Sequence, residues 1–173
     1  MNYANIKEVD IANGTGVRVS LFVSGCTHRC VDCFNEIAWD FHYGHEFTQE
    51  TIDYILSALK PSHIQGLSLL GGEPMELSNQ EGLLPLLQQF HEMYPNKTVW
   101  CYTGYLLEDF LDGGRAHSHI TDELMSYIDV LVDGPFIAEE KNIRLKFRGS
   151  SNQRVIDLKK KRELKSIVLW EEK

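Results

Sequence analysis

The chain has 173 residues, 43% of them hydrophobic and 24% charged, which is enough apolar material for one globular domain with a core of its own. Its 17 lysines and arginines face 25 aspartates and glutamates, and the formal net charge of −8 argues against duplex nucleic acid as the main partner, since phosphate binding needs a basic face. No run of about 18 apolar residues could span a membrane. The stretch Met1 to Asp10 lacks both the basic start and the apolar middle of a secretory signal, so the expected location is the cytoplasm, where thiols stay reduced.

In chain order, Asn13-Gly14-Thr15-Gly16 is a turn signal, and the β-branched run Val17–Val23 after it reads as the first strand, leading straight into a cluster of cysteines. Thr48 suits a helix cap, and Ile52, Ile55, Leu56 and Leu59 recur at helical spacing up to Lys60, before Pro61 stops the helix. A short strand, Gly66–Leu70, ends on Gly71-Gly72. A second helix covers about Glu81 to Met93, provided that Pro85 lies in its first turn.

Thr98–Tyr102 reads as a strand, Leu106–Leu111 as a short helix, Thr121–Ile128 as another, then Asp129–Asp133 as a strand and Ile167–Trp170 as the last. The basic run Lys159-Lys160-Lys161-Arg162 is expected to be a solvated face. Alternation of strands and helices predicts an α/β fold with a mainly parallel sheet. Five strands are too few for a closed eight-unit barrel, which takes about 250 residues. An open or partial (β/α) barrel in a single domain, residues 1–173, fits the length; no repeat or linker divides it.

The chemistry is concentrated in Cys26-Thr27-His28-Arg29-Cys30-Val31-Asp32-Cys33-Phe34. Three thiolates at this spacing can converge from one loop on a four-iron cluster, for which cysteine is the usual protein ligand. The loop offers three ligands where four are normal, so one iron would stay open to a small molecule. Structural zinc is the competing reading. It would need His28, His42, His45 or Cys101 as a fourth ligand, and the second spaced pair typical of such sites is missing. Cys101, flanked by Trp100 and Tyr102 in a strand, reads as a small core residue.

These residues resemble the radical S-adenosylmethionine (SAM) superfamily, whose signature is Cys-x3-Cys-x2-Cys followed by an aromatic, here Phe34. Gly71-Gly72-Glu73-Pro74 after an apolar strand is similar to that superfamily's Gly-Gly-Glu-Pro motif. Asn13-Gly14-Thr15-Gly16-Val17-Arg18 resembles activating enzymes of glycyl radical proteins. Trp100–Tyr105, Val130–Phe136 and Arg148–Arg154 resemble the branch of that family serving the anaerobic ribonucleoside-triphosphate reductase. Spread over the chain, and taken with its short length, these segments make the resemblance cover nearly the whole of it. Where the family usually has proline or glycine in the cysteine loop, this loop carries Arg29 and Val31.

The resemblance implies a fold of the radical SAM type and a [4Fe-4S] cluster on Cys26, Cys30 and Cys33. It implies that a reduced cluster splits SAM into methionine and a 5′-deoxyadenosyl radical, which takes a hydrogen atom from a glycine of the large catalytic subunit of the reductase. A flavodoxin-like or ferredoxin-like protein would donate the electron. Carried over position by position, the backbone of Gly71 and Gly72 and the Glu73 carboxylate, beside Pro74, would hold the SAM ammonium. The main chain at Asp32 and Phe34 would meet the adenine. Thr103 would join the cofactor site, and Asp133 would lie near the SAM carboxylate or else merely start a turn. No general acid or base is expected beyond the cluster, and most of the histidines are expected at the surface. Arg148–Arg154 reads as a mobile polar loop that could touch the substrate protein or SAM, and Trp39-Asp40-Phe41 as a packing anchor. The remaining classes are an activator of a formate acetyltransferase-type enzyme, a radical SAM enzyme acting on a pterin or deazapurine, an iron–sulfur electron carrier without SAM chemistry, and a zinc-stabilised interaction module.

Overall fold

The computed structural model describes residues 1–172. Among the described residues seven strands form one sheet: β1 (Asn2–Asp10), β2 (Val17–Val23), β3 (His45–Glu46), β4 (Ile64–Gly71), β5 (Thr98–Tyr102), β6 (Val130–Asp133) and β7 (Arg154–Asp157). Their order across the sheet is β3-β1-β2-β4-β5-β6-β7. The centre, β2-β4-β5-β6, is parallel. Both flanks are antiparallel, with β3 and β1 on one side and β7 on the other. The expectation of an α/β fold holds. "Mainly parallel" is corrected to a parallel centre between antiparallel edges, and the sheet is open.

The helices are α1 (Gln49–Ala58), α2 (Leu77–Met93), α3 (Thr121–Ser126) and α4 (Leu158–Leu164). Thr48 caps α1: its hydroxyl accepts from the Thr51 amide, and the Thr51 hydroxyl accepts from the Thr48 amide. Helix α2 begins earlier than the sequence suggests, which leaves Pro85 inside it. An interior proline costs about 3 kcal/mol. Leu83, Leu86, Leu87 and Phe90 are buried from the same helix, and each such side chain contributes about 1.5–3 kcal/mol, so packing outweighs the break.

Alternation along the strands divides the sheet into two faces. Val19, Leu21 and Val23 of β2 join Leu67, Leu69, Val99 and Leu131 on the face that α1, α2 and α3 cover. The opposite face carries Arg18, Ser20 and Phe22 with Ser68, Trp100, Tyr102 and Val132. At its lower end Trp100, 1% exposed, meets Phe147 and Trp170 edge-on at 5.1 and 5.3 Å. That contact ties the C-terminal segment to the sheet. The strand expected at Ile167–Trp170 is reduced to a single bridge, Leu169 to Ile156, and two backbone bonds, all made to the edge strand β7.

Arg18 is fully buried, yet among the described residues no carboxylate is within ion-pair distance of it. Its guanidinium donates to Ser68 Oγ (2.8 Å), Thr98 Oγ1 (3.0 Å), Thr98 O (2.8 Å), Leu67 O (3.1 Å) and Thr15 O (3.2 Å), sewing β2, β4 and β5 together at their start. Burial pulls it down to about 10, still charged at neutral pH. Arg18→Met would strand several buried acceptors, each costing about 1–3 kcal/mol. Urea unfolding of the metal-free protein should show a loss of roughly 3 kcal/mol or more.

Candidate functional site

The cysteine loop leaves the end of β2 and is clamped at its base from two sides. The Gly25 and Cys26 amides donate to Ala38 O (2.7 Å) and Trp39 O (3.2 Å), while the Gly72 and Glu73 amides donate to Val23 O and Gly25 O (both 2.8 Å). Beyond this base the chain reverses through Arg29 (φ 51°) and Asp32 (φ 60°), both in the left-handed region. The Arg29 guanidinium lies over the Trp39 ring at 5.2 Å, which fixes a residue that stands where glycine would turn more freely. Thr27 gives both its amide and its hydroxyl to Glu76 Oε1, at 2.8 and 2.7 Å. Cys33 is held by its amide on Cys30 O (3.2 Å), and the Asn35 amide points at Cys33 Sγ (3.5 Å).

The loop forms one wall of a cleft of about 550 Å³ on the sheet face opposite the helices. Of the residues singled out from the sequence, the cleft brings together Cys26, Cys30, Cys33, Phe34, Gly71, Gly72, Glu73 and Thr103. Asp32, Pro74 and Asp133 do not line it. No disulfide joins the four cysteines, and Cys101 is fully buried on the helix-covered face, among core side chains. Among the described residues, no three histidine, cysteine or carboxylate side chains draw close enough for a single metal ion. A four-iron cubane takes one thiolate per corner and so sets its ligands further apart than one tetrahedral ion does.

Gly71 and Gly72 touch the strand beside them. A Cβ on Gly71 (φ +112°) would lie 2.5 Å from Val23 N, and one on Gly72 would lie 2.7 Å from Gly25 O. Glu73 is 1% exposed and bonded to Thr103, Gly104, Met75 and His28. Asp133 is fully buried. It accepts from Arg154 Nε (2.9 Å), from Arg154 Nη2 and from the Leu107 amide (2.8 Å), so its carboxylate closes an ion pair at the end of β6. The hydrogen bonds that Arg154 donates to Asp133 raise its pKa, and Arg154 in turn lowers that of Glu108.

The polar segment before Arg154 is an ordered turn. Arg148 donates to Gln153 O (2.6 Å), Gln153 Nε2 to Gly134 O (3.0 Å) and Asn152 Nδ2 to Pro135 O (2.7 Å), at the rim of the cleft. Sequence reasoning missed Glu76, considered His28 only as a candidate zinc ligand and gave Tyr105 no role of its own. His28 packs edge-on against Tyr105 at 4.4 Å and bonds Glu73 at 2.7 Å. The signals were a histidine between two ligand-type cysteines and a second glutamate one helical turn after Glu73.

Three free cysteines thus stand on one cleft wall, and the chain matches the 4Fe-4S single cluster domain family over residues 12–156, which gives its class. Proteins called anaerobic ribonucleoside-triphosphate reductase-activating protein are similar over most of the chain. The one from Vibrio cholerae is 44% identical over 155 residues, 88% of this chain and 96% of that protein. The one from Haemophilus influenzae is 42% identical over 155 residues, with 88% and 96% covered, and the one from Escherichia coli 40% over 161 residues, with 92% and 100% covered. At this identity and coverage, the chain belongs to the family of anaerobic ribonucleoside-triphosphate reductase-activating proteins.

Burial, with a smaller push from Glu73, raises the Cys26 thiol from an ordinary 9.0 to about 11. A folded value above the unfolded one means that the contribution to stability is intact below about pH 9 and is lost as pH rises through about 11. Metal-free protein should therefore unfold at progressively lower urea across that window, and Cys26→Ala should flatten part of the slope.

Proposed function

We propose that the protein carries a [4Fe-4S] cluster on Cys26, Cys30 and Cys33, cleaves S-adenosylmethionine reductively there, and generates a glycyl radical on the large catalytic subunit of an anaerobic ribonucleoside-triphosphate reductase. The observation that carries this reading is the cleft, whose wall joins the three thiols to the glycine turn Gly71-Gly72 at neighbouring strand ends. The donor set suits such a cluster. Three free thiols face one space, an amide reaches a sulfur, and the fourth cysteine is held away in the core, so one iron keeps no protein ligand.

When bound, the cluster supplies the electron that cleaves the S–C5′ bond of SAM. The residues of this chain supply position and dryness. The close backbone approach at Gly71 and Gly72 suits a small zwitterion, whose ammonium the main chain there would hold. Phe34 and Phe136, 5.4 Å apart with Lys141 over the Phe34 ring, form an aromatic wall for the adenine. Thr103 acts through its hydrogen bonds to Glu73, and Asp133 holds the chain at the end of β6 rather than the ligand.

The proposed fold type is a partial barrel of the radical SAM kind, a reading that the open sheet with its cleft opposite the helices supports. An external donor of flavodoxin or ferredoxin type would reduce the cluster. Among the described residues no helix is long and apolar enough to cross a membrane, and the free cysteines suit the cytoplasm.

The test is anaerobic. Protein reconstituted with iron and sulfide is mixed with dithionite, SAM and the reductase subunit, and its electron paramagnetic resonance spectrum is recorded. A carbon-centred doublet that requires SAM, and that disappears when Cys26, Cys30 or Cys33 is replaced by alanine, is expected. A cluster signal that SAM leaves unchanged, with no doublet, would overturn the proposal.

A further inference from the structure

Glu73 has nothing left to offer a ligand. An ionised carboxylate presents about four lone-pair sites. Four donors already occupy them: the Gly104 amide (2.6 Å), the Met75 amide (2.8 Å), the Thr103 hydroxyl (2.9 Å to either oxygen) and His28 Nε2 (2.7 Å). A carboxylate can only accept, so the His28 nitrogen that faces it bears the proton. The Glu73 side chain is 1% exposed. Its main chain is committed too, with the amide on Gly25 O and the carbonyl taking Asn79 Nδ2 (2.9 Å).

These donors come from three places: the cysteine loop, the start of the segment leading into α2, and the turn after β5. His28 is the donor that lies between Cys26 and Cys30. Tyr105 packs edge-on against its ring, and a Cβ on Gly104 would lie 2.6 Å from His28 Cδ2, so the seat of the imidazole is closely shaped. We infer that Glu73 and His28 form a latch, a pair of positioning residues that sets where the cysteine loop stands relative to the glycine turn, and that the Glu73 carboxylate does not itself bind the SAM ammonium. This rests on the proposed cluster at Cys26, Cys30 and Cys33. It leaves the ammonium to the backbone of Gly71 and Gly72. Without the latch, the left-handed residues Arg29 and Asp32 would be free to relax and the thiols to spread.

The test compares His28→Ala, His28→Gln, Glu73→Gln and the double variant His28→Ala/Glu73→Gln with the unaltered protein. Three quantities are read: amide exchange across residues 26–34 in the metal-free protein, iron loss from the reconstituted protein to a chelator, and SAM affinity from the shift of the reduced cluster's paramagnetic resonance spectrum. Loss of the latch is expected to speed exchange and to raise the rate of iron loss roughly tenfold or more in His28→Ala. His28→Gln, which keeps a side-chain N–H, should restore both, and the double variant should be no worse than the poorer single one. Molecules that retain the cluster should bind SAM as the unaltered protein does.

If Glu73→Gln weakens SAM binding tenfold or more while iron loss stays unchanged, Glu73 is a direct ligand and the latch is wrong. Unchanged exchange and iron loss in His28→Ala would overturn it equally, and that comparison stands even if Glu73→Gln does not fold. Neither readout needs the reductase, so a failure to form a glycyl radical would count against the proposed function and leave the latch standing.

Discussion

The parallel register of β2 on β4, with Val23 opposite Gly71, governs the rest of the molecule. Parallel neighbours end on the same side of a sheet, so this one alignment delivers the cysteine loop and the glycine turn to the same place. It tolerates no side chain at Gly71, where the backbone runs against Val23 with φ +112°. A slip of one residue would turn Val19, Leu21 and Val23 away from the helices and bring Arg18 into the apolar core. The buried guanidinium of Arg18, reaching Thr98 and Leu67 from the start of β2, fastens the other end of the same strands. The active end is thus positioned by bonds made at the opposite one.

The central strands could be read from sequence because burial on both faces leaves dense β-branched and apolar runs. The edges could not. Strand β1 mixes apolar, polar and charged residues without a clean alternation, much of it is exposed, and its identity depends on pairing with β2 rather than on composition. Strand β7 hid in a segment that looked like a polar loop: Arg154 is a strand residue whose charge is consumed by Asp133 and Glu108. Helix α4 contains the basic run that was expected to be a solvated face. Lys159, Lys160 and Arg162 are indeed exposed, while Asp157 caps the helix and Leu158 anchors it. In each case long-range pairing decided a structure for which local pattern was silent.

The cysteines and glycines of the site were legible because ligand chemistry and backbone approach allow few alternatives. The partners that hold them were not. His28, Glu76 and Tyr105 gain their roles only when β4, α2 and the turn after β5 converge, which spacing cannot express. Asp133, which the sequence left open between a ligand contact and a turn, is fully buried and paired with Arg154, a partner 21 residues away that local pattern does not reveal.

Arg29 and Asp32 give the cysteine loop a further property. Left-handed backbone at residues other than glycine stores of order 1–3 kcal/mol each, with aspartate at the low end. The loop is thus a cocked spring, kept taut by the stacking of Arg29 on Trp39 and by the ties of Thr27 and His28. The folded chain thus bears the cost of this backbone before any ligand arrives, and a ligand that needs the loop in this shape would not have to meet it again.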